Sequence, residues 1–510
     1  MPRSTCNIAM RSACATDPVA GCVARRFGLN DVSRVQPPDH AAATVELCRL
    51  ARAPGRVIAL TGPSGSGKTR MLEHLRADGD CIDLDAMQID PERSPAWLVA
   101  RQVAGSTIAL KRPAPELIDE LLRLLARCGM AEAHLLVRPA GTLSQGETFR
   151  LRLALALAQK PQRLVCDEFG AMLDDIVAGT IAANLRRLAD RLGVTVIVAA
   201  PRDGFLDALQ PDVHVRFRLN ALPDVRHCER VADTGRAGAD DPFELVRGSR
   251  RDWPPFARWH YRSHTLGFVS HVFLLRHREL DEAVGICVIG IPQLHSAARN
   301  ALLRRVQVAG CPESTHARGK ATRAFTQWLN RSVRVVHRVV IDPRFRGCGL
   351  GARIVRQSIE QLDDTIALVE CFTSLGGYSG FLDAAGFARV GAASEPDAHV
   401  ERLCEWIAAR GFASGLLDDE RSVRRWYRGL TSSERGEFDG LLAKAWRSRM
   451  GARGSRWHGR KCGSGLAGQA IEGLADIVRN RGLAPFYFAK ARDAQVQAAI
   501  EALARGEPRD

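Results

Sequence analysis

Eight consecutive residues in the first part of the chain have the composition and spacing of a loop that binds phosphate groups. The run reads GPSGSGKT over 62–69; it follows an apolar stretch over 57–60 and precedes a helical pattern over 70–76. Glycines let successive main-chain N–H groups turn toward a phosphate, and the following helix adds its positive N-terminal end. The residues expected to hold a nucleotide are Gly62, Ser64, Gly65, Ser66, Gly67, Lys68 and Thr69, with Lys68 at the terminal phosphates and the Thr69 hydroxyl on Mg²⁺.

A second motif further along the chain supplies the acidic groups that such a site needs. The sequence RLVCDE over 163–168 predicts a short apolar strand that ends in two carboxylates. We expect Asp167 to hold Mg²⁺ and Glu168 to orient or deprotonate the water that attacks the γ-phosphate of ATP. Alone, the pattern also fits a strand followed by an acidic turn, but its distance from Lys68 favours the catalytic interpretation.

Between these motifs, the sequence LSQGE over 143–147 precedes a helical pattern over 148–159. Together the three motifs resemble those of the ABC ATPases, whose signature loop reads LSGGQ. The resemblance implies that Ser144 and Gly146 contact the γ-phosphate of ATP bound on a partner subunit. It also implies a D-loop over 170–174, with Asp174 at a subunit interface. The expected partner is therefore a second copy of the chain in a head-to-tail ATP sandwich, or another ABC-like protein.

The chain departs from the ABC pattern where a switch histidine should follow the strand over 194–199. Ala200, Pro201 and Arg202 stand there instead. The departure leaves the phosphate loop intact and puts repeated turnover of ATP in question. No stretch reaches the roughly 18 apolar residues of a membrane span, and the segment before the signature is short, so we do not expect a transporter. We expect a cytoplasmic protein with no membrane partner.

The second half contains another glycine-rich loop, over 342–351, which follows a β-branched stretch over 333–341 and precedes a helical pattern over 352–362. No Lys-Ser or Lys-Thr pair follows, so this is not a second Walker A loop. It resembles the acyl-CoA loop of the GNAT acetyltransferases, R/Q-x-x-G-x-G/A. The resemblance implies that acetyl-CoA or another acyl-CoA binds through Arg344, Arg346, Gly347, Gly349 and Gly351. A surface turn before a helix is the alternative.

The GNAT resemblance also implies that the strand of this loop and the next strand, over 365–372, separate to hold the acyl thioester. Glu370 and His337, on these two strands, are the candidate bases, although a solvent-facing carboxylate and a half-buried histidine remain the structural alternatives. The position of the family's tyrosine acid holds Phe381, so Tyr378 is the substitute candidate.

Composition and charge bear on the partner. The 510 residues carry 72 basic and 57 acidic side chains, a net charge of +15, and the stretch 440–461 has seven basic residues, two tryptophans and no acidic residue. Cations among aromatic side chains suit a nucleic-acid backbone, and a solvated basic helix is the alternative. Basic and aromatic residues over 260–264 add a distant resemblance to the Mom-type enzymes that modify adenine in DNA. The fourteen cysteines show no zinc-ligand spacing.

These observations predict an α/β chain with a P-loop ABC ATPase domain, a GNAT-fold α+β acyltransferase domain and a basic helical C-terminal extension. The expected bounds are 1–50 for an N-terminal extension, 51–222 for the ATPase, 223–250 for a linker, 251–396 for the acyltransferase and 397–510 for the helical region. We expect an acyl-CoA-dependent N-acyltransferase that acts on a nucleic-acid amine and uses ATP and Mg²⁺ to position it. Two alternatives remain: a protein or small-molecule N-acetyltransferase with a regulatory ATPase, and a non-catalytic nucleotide-gated binding protein.

Overall fold

The computed structural model describes residues 18–26, 41–77, 81–105, 110, 113–219, 221–229, 241–260, 266–294, 296–312, 316–317, 320–373, 376–390, 398–412, 420–450, 474 and 486–505. The chain forms two compact units, one from residues 1–89 and 155–234, the other from residues 90–154 and 235–510. Within the described ranges, no helix is both long enough and apolar enough to cross a membrane.

Six strands form the sheet of the first unit, in the order β2-β3-β4-β1-β5-β6. All neighbours in this sheet are parallel except β5 and β6. The strands are β1 (Val57–Thr61), β2 (Cys81–Asp83), β3 (Arg163–Cys166), β4 (Thr195–Ala200), β5 (Val213–Arg216) and β6 (Asp224–His227). Because every residue of β1, β3 and β4 is buried, these strands are apolar throughout rather than alternating.

Among the described residues of the first 219 there are nine α-helices. They are α1 (Pro18–Arg26), α2 (Ala41–Ala51), α3 (Lys68–Ala77), α4 (Pro95–Ala104), α5 (Pro115–Arg127), α6 (Ala133–Val137), α7 (Gln145–Ala158), α8 (Asp175–Leu192) and α9 (Leu206–Leu209). In the first unit, α2 and α3 pack their apolar faces on the sheet, where Leu47, Leu72 and Leu75 join Ile58 and Val215 in one core. The burial of these side chains fixes the place where β1 ends and α3 begins.

The helical segment α4 to α6, with the first part of α7, belongs to the second unit. Helix α4 begins with Ser94 as its N-cap, whose side chain accepts from the Trp97 N–H, and it ends at Gly105 in the left-handed conformation. Helix α5 is strongly amphipathic, with Leu121 and Leu125 buried. The expected ATPase domain, 51–222, includes this segment. In the structure the segment belongs instead to the compact unit that contains residues 235–510.

Seven strands form the second sheet, in the order β14-β15-β13-β12-β9-β8-β7. Only β12 and β13 are parallel, and the other neighbours are antiparallel. The strands are β7 (Phe243–Arg247), β8 (Val269–His277), β9 (Glu282–Gly290), β12 (Val333–Ile341), β13 (Leu368–Thr373), β14 (Ala388–Val390) and β15 (Phe486–Ala491), and a separate two-stranded pair is formed by β10 (His316–Ala317) and β11 (Lys320–Ala321).

Ten further helices of the second unit have bounds within the described residues. They are α10 (Pro254–Ala257), α11 (Ala297–Leu303), α12 (Arg323–Ser332), α13 (Leu350–Glu360), α14 (Gly376–Ser379), α15 (Phe381–Ala384), α16 (Ala398–Ala409), α17 (Glu420–Gly429), α18 (Ser432–Met450) and α19 (Ala494–Arg505). Helices α16 to α18 form a small core of their own around Phe438, Trp406 and Tyr427. Val496 and Ile500 of α19 pack instead in a core shared with Val333 and Leu368.

The structure differs from two expectations about domain limits. The region 397–510 is not a purely helical extension, because β15 lies between β13 and β14 and its residues pair with both. The stretch 223–250, expected to be a linker, contributes β6 to the first sheet and β7 to the second. Strand pairing over long sequence distances has no local sequence signal, which is why both were missed. Residues 230–240, 261–265 and 451–461 lie outside the described residues, and with them half of the basic segment 440–461 and most of the motif 260–264.

Candidate functional site: two glycine-lined loops

The loop 62–69 leaves β1 at the carboxyl edge of the first sheet and enters α3. Gly62 has φ +145°, and a Cβ atom there would lie 2.4 Å from the Phe217 carbonyl oxygen. Gly65 and Gly67 have φ +78° and +102°. Residues that carry a side chain rarely adopt such backbone angles, so these positions favour glycine. Main-chain groups therefore line the loop.

Lys68 and Ser66 are the buried polar side chains of this loop. The Lys68 ammonium donates to the carbonyl oxygens of Gly62 at 2.7 Å and Pro63 at 2.9 Å. Burial lowers the pKa of Lys68, and the carboxylates of Asp167 and Glu168 act against that shift. The Ser66 hydroxyl is buried and has no hydrogen-bond partner in the described part of the chain. A buried hydroxyl beside a lysine and inward-facing amides fits a polyphosphate.

Asp167 and Glu168 follow β3 at the same edge of the sheet. The Glu168 N–H donates to Asp167 Oδ1 at 3.0 Å, and the Asp167 N–H donates to Asp85 Oδ2 at 2.7 Å. Glu168 is exposed and has φ +49°, a conformation that non-glycine residues seldom adopt. Thr69 is exposed in the first turn of α3. The hydroxyl of Thr69 and the carboxylate of Asp167 are the oxygen ligands that Mg²⁺ takes. Sequence reasoning missed Asp85, because no motif marks it.

A cavity of about 660 Å³ opens beside Gly62 and Pro63, where β1, β4 and β5 end. Pro201, which stands at the switch position, lines it together with three arginines, Arg202, Arg216 and Arg218. At its edge the Thr61 hydroxyl and His214 Nε2 are hydrogen-bonded at 2.8 Å. Positive side chains around the end of the phosphate loop make this edge of the sheet attractive to anions.

The signature residues lie at the start of α7. Ser144 precedes the helix, its hydroxyl accepts from the Glu147 N–H at 3.3 Å, and the Ser144 N–H donates to Glu147 Oε2 at 2.8 Å. This reciprocal capping box holds the loop on the helix end, with Gly146 in the first turn. Asp174 caps α8 in a similar way, because its carboxylate accepts from the Val177 N–H at 2.8 Å.

The second glycine-rich loop leaves the central strand β12 of the second sheet. A 3-10 turn over Pro343–Phe345 follows the strand, and Gly347 and Gly349 have φ +95° and +86° before α13 begins at Leu350. Gly351 lies in the first turn of α13, where a Cβ atom would be 3.8 Å from the Phe381 side chain. The loop therefore has the strand-loop-helix setting and the open main chain that suit a second diphosphate.

The two arginines of this loop bind groups of the protein itself. Arg344 donates to Asp342 Oδ2 at 2.9 Å and Glu282 Oε2 at 2.7 Å, and these hydrogen bonds raise its pKa. Arg346 is largely buried, donates from Nε to the Ile341 carbonyl oxygen at 2.7 Å and forms an ion pair with Glu132. In this arrangement both side chains hold the loop.

Strands β12 and β13 pair over only part of their length. The parallel pairing runs from Val333 opposite Leu368 to Val336 opposite Cys371. Beyond that point β12 continues to Ile341 beside β9, and β13 continues to Thr373 beside β15. The two central strands therefore stop pairing with each other toward the glycine-rich loop.

His337 lies one residue past the last pair, in an irregularity of β12. A Cβ atom at Gly290 would lie 2.1 Å from the His337 ring, so the glycine leaves the room that this ring occupies. Burial lowers the pKa of His337, Arg338 lowers it further, and a hydrogen bond with the Ile291 backbone acts in the opposite direction. Its Nε2 atom has no hydrogen-bond partner among the described residues. A neutral imidazole with a vacant nitrogen is suited to accept a proton.

Glu370, the other candidate base, is held in a buried ion pair. Its Oε2 lies 3.1 Å from Arg299 Nη1, and both side chains are almost completely buried. Burial raises the pKa of Glu370, and the positive charge of Arg299 opposes that shift. Arg299 also donates to the Gln293 and Leu294 carbonyl oxygens. This environment gives Glu370 a structural role in the sheet.

Tyr378, the candidate acid, contacts helix α5 of the same unit. Its hydroxyl donates to Asp119 Oδ1 at 3.0 Å. Burial, and then the neighbouring Asp119 carboxylate, raise the pKa of Tyr378, so the phenol stays protonated. Tyr378 lies in α14, and Phe381 begins α15.

The first glycine-rich loop lies in a part of the chain that matches a known protein family. Residues 48–171 match the family model described as ABC transporter, which supports an ABC ATPase domain in this part of the chain. The second sheet lies outside the residues that this model matches.

Individual relatives match over limited lengths. An ABC transporter ATP-binding protein of Bacillus cereus is 28% identical over 199 residues, which are 34% of this chain and 35% of that protein. The methionine import ATP-binding protein MetN of Xylella fastidiosa is 30% identical over 208 residues, 36% of this chain and 56% of that protein. The solved structure of cbiO1 from Clostridium perfringens, part of the ABC transporter complex cbiONQ, aligns with 21% identity and a TM-score of 0.26 over 32% of this chain and 74% of that one. The chain thus spans about a third to just over half of the curated relatives named here.

Proposed function

We propose that the chain is an ATP-dependent, acyl-CoA-dependent N-acyltransferase with a nucleic-acid amine as acceptor. The observation that carries the proposal is that one polypeptide has two unlike glycine-lined loops. The loop 62–69 stands between β1 and α3, and the loop 342–351 stands between β12 and α13. Each has glycines at positive φ, a backbone conformation that suits a loop whose main-chain amides bind a diphosphate group.

The first loop is proposed to bind ATP with Mg²⁺. Lys68 and the Ser66 hydroxyl hold the phosphates, while Thr69 and Asp167 hold the cation, which neutralises charge that develops on the γ-phosphate. Glu168 is exposed beside Asp167 and orients the attacking water. Ser144 and Gly146 close the site of a partner subunit in a head-to-tail ATP sandwich. The family match over residues 48–171 supports this half of the proposal.

The second loop is proposed to bind acetyl-CoA or another acyl-CoA, with the thioester between β12 and β13. A main-chain N–H of the separated strands polarises the thioester carbonyl. The acceptor amine attacks the carbonyl carbon and gives its proton to His337 Nε2. The carbon–sulfur bond then breaks, and the thiolate takes a proton from Tyr378. No ATP is consumed in this chemistry, so ATP serves to position the acceptor or to time the reaction.

The basic face of α17 supports nucleic acid as the acceptor. Arginines at 421, 424, 425 and 428 recur at the three- and four-residue spacing of one helix face, opposite the buried side chains of Val423 and Tyr427. Arg425 and Arg428 are exposed. Several guanidinium groups in a row fit the phosphates of a nucleic-acid strand.

Fluorescence anisotropy with a single-stranded oligonucleotide tests this face at several salt concentrations. The variant R425E/R428E should bind at least about tenfold more weakly than the parent and with a smaller salt slope, since each lost phosphate contact lowers that slope by about one. Arg402→Glu on α16 changes one exposed charge elsewhere in the same helical cluster and serves as the control. Equal binding by all three proteins removes nucleic acid as the acceptor that this face recognises.

Transfer of label from acetyl-CoA with a radioactive acetyl group tests the reaction itself. The proposal predicts label in DNA or RNA, at a rate that rises with ATP and loses this rise in Lys68→Ala. Label only in protein or in small amines supports a protein or small-molecule acetyltransferase with a regulatory ATPase. No transfer under any nucleotide condition, together with tight ATP binding, supports a nucleotide-gated binding protein.

A further inference from the structure

Two contacts join the signature-bearing helical segment to the second glycine-rich loop and a third joins it to α14, and all of them lie within the second unit. Arg150 of α7 contacts Pro343, Glu132 pairs with Arg346, and Asp119 accepts from Tyr378. The two residues of the Arg150 contact are 193 positions apart in the sequence. Neither the phosphate chemistry of the first loop nor that of the second requires these contacts.

Arg150 makes the most specific of the three. Its side chain is buried, and Nη1 donates to the Pro343 carbonyl oxygen at 2.9 Å. Pro343 begins the 3-10 turn from which the main chain passes to Gly347 and Gly349. The guanidinium also lies against Gly129, where a Cβ atom would be 3.4 Å from Arg150 Nε and 3.3 Å from the Arg346 carbonyl oxygen. A buried guanidinium with a single carbonyl partner in the loop fixes the position of that carbonyl.

The same helix carries the signature loop at its N-terminus, less than two turns before Arg150. Glu147, one turn before Arg150, accepts from the Ser144 N–H at 2.8 Å and from Arg138 at 2.8 Å. Ser144, Glu147 and Arg150 therefore belong to one hydrogen-bonded helix end of less than two turns. A ligand that engages Ser144 and Gly146 acts on the same rigid element that holds Pro343.

We infer that Arg150 is a positioning residue for the acyl-CoA loop, through which nucleotide held at the signature loop tightens acyl-CoA binding. The inference rests on the proposed function, because it requires both ligands. Glu132, paired with the largely buried Arg346 on the other side of the loop, assists it. By linkage, acyl-CoA must tighten nucleotide binding by the same factor.

Calorimetric titration of acetyl-CoA into the full chain, with and without a non-hydrolysable ATP analogue and Mg²⁺, tests the inference. The parent should bind acetyl-CoA at least about fivefold more tightly with the analogue present, the lower end of ordinary coupling between sites. Arg150→Met should reduce this ratio to less than about twofold while leaving the affinity for the analogue alone unchanged. Arg152→Met is the matched control, since two residues along a helix turn the side chain by about 200° to another face.

Glu132→Gln is the second variant and decides the matter if Arg150→Met does not fold. It keeps the size of the side chain and removes the charge opposite Arg346, and it should lower the coupling ratio as well. Coupling that persists in the folded variants, or acetyl-CoA affinity in the parent that is the same in both nucleotide states, overturns the inference alone. If the parent binds no acetyl-CoA in either state, the proposed acyltransferase function fails.

Discussion

The ammonium group of Lys68 lies 2.7 Å from the carbonyl oxygen of Gly62, the first glycine of its own loop. The loop therefore holds the side chain of this buried lysine. The carboxylates of Asp167 and Glu168, which follow β3, favour its charged form. A phosphate chain that enters the loop would exchange these carbonyl contacts for stronger, charge-assisted ones.

Lys68→Ala should weaken ATP binding at least about tenfold, because a charged hydrogen bond contributes about 1.5–3 kcal/mol. Equilibrium binding of a fluorescent ATP analogue measures this loss. Arg70→Ala, which removes a cation two residues further along α3, is the control and should bind nearly as the parent does. Equal binding by Lys68→Ala and the parent would show that the loop is not the nucleotide site.

Glu168→Gln should keep ATP binding and slow phosphate release by at least about a hundredfold, since it removes a general base while keeping the side-chain size. Single-turnover phosphate release under excess enzyme is the measurement, because Pro201 at the switch position bears on later turnovers. Glu73→Gln, on α3, is a control that should release phosphate at the parent rate. An unchanged rate in Glu168→Gln would remove Glu168 from the reaction.

Acyl transfer should lose activity toward acid pH through His337. The folded pKa of His337 lies below its ordinary value of about 6.5, so the ring is neutral at pH 7 and becomes charged only as the pH falls through the lowered pKa. The same shift makes folding less favourable as the pH falls below about 6.5, because the unfolded chain binds the proton more readily. The pH profile of kcat/KM should therefore show an acid limb.

His337→Gln should lower kcat/KM and abolish that acid limb. His399→Gln, on α16, is the control and should keep it. An acid limb that persists at the same pH in His337→Gln assigns the proton acceptor elsewhere.

Glu370→Gln should lower the free energy of unfolding by about 3–5 kcal/mol, since it leaves the buried Arg299 without its counter-charge. Urea unfolding followed by circular dichroism measures the change. The double variant Arg299→Met/Glu370→Leu removes both charges and should be less destabilised than the single one. A single variant as stable as the parent, with acyl transfer lost, would make Glu370 a base after all.

Local motifs predicted the elements around both loops, because short-range chemistry determines them. The strand before Gly62, the strand before Asp167 and the helix after Gly349 were all expected from apolar runs and glycine spacing, and the structure has strands or helices there. The helix after the LSQGE motif was expected from the sequence as well, and α7 begins at Gln145.

Contacts between residues that lie far apart in the sequence could not be predicted from local motifs. Nothing near Phe486 indicates that β15 enters the sheet between β13 and β14, because strand partners are chosen by packing across the whole chain. The buried partner of Glu370 lies 71 residues away, and that of Arg150 lies 193 residues away. Asp85 was missed for the same reason, since its contact with Asp167 spans 82 residues.

Two separate diphosphate sites on one polypeptide are the central claim, and calorimetry of the full chain with Mg-ATP and with acetyl-CoA tests it most directly. We expect one site for each ligand, without competition; Lys68→Ala should abolish only the first and Gly349→Val, which places a side chain at φ +86°, only the second. Absence of acetyl-CoA binding, or displacement of one ligand by the other, would contradict the account.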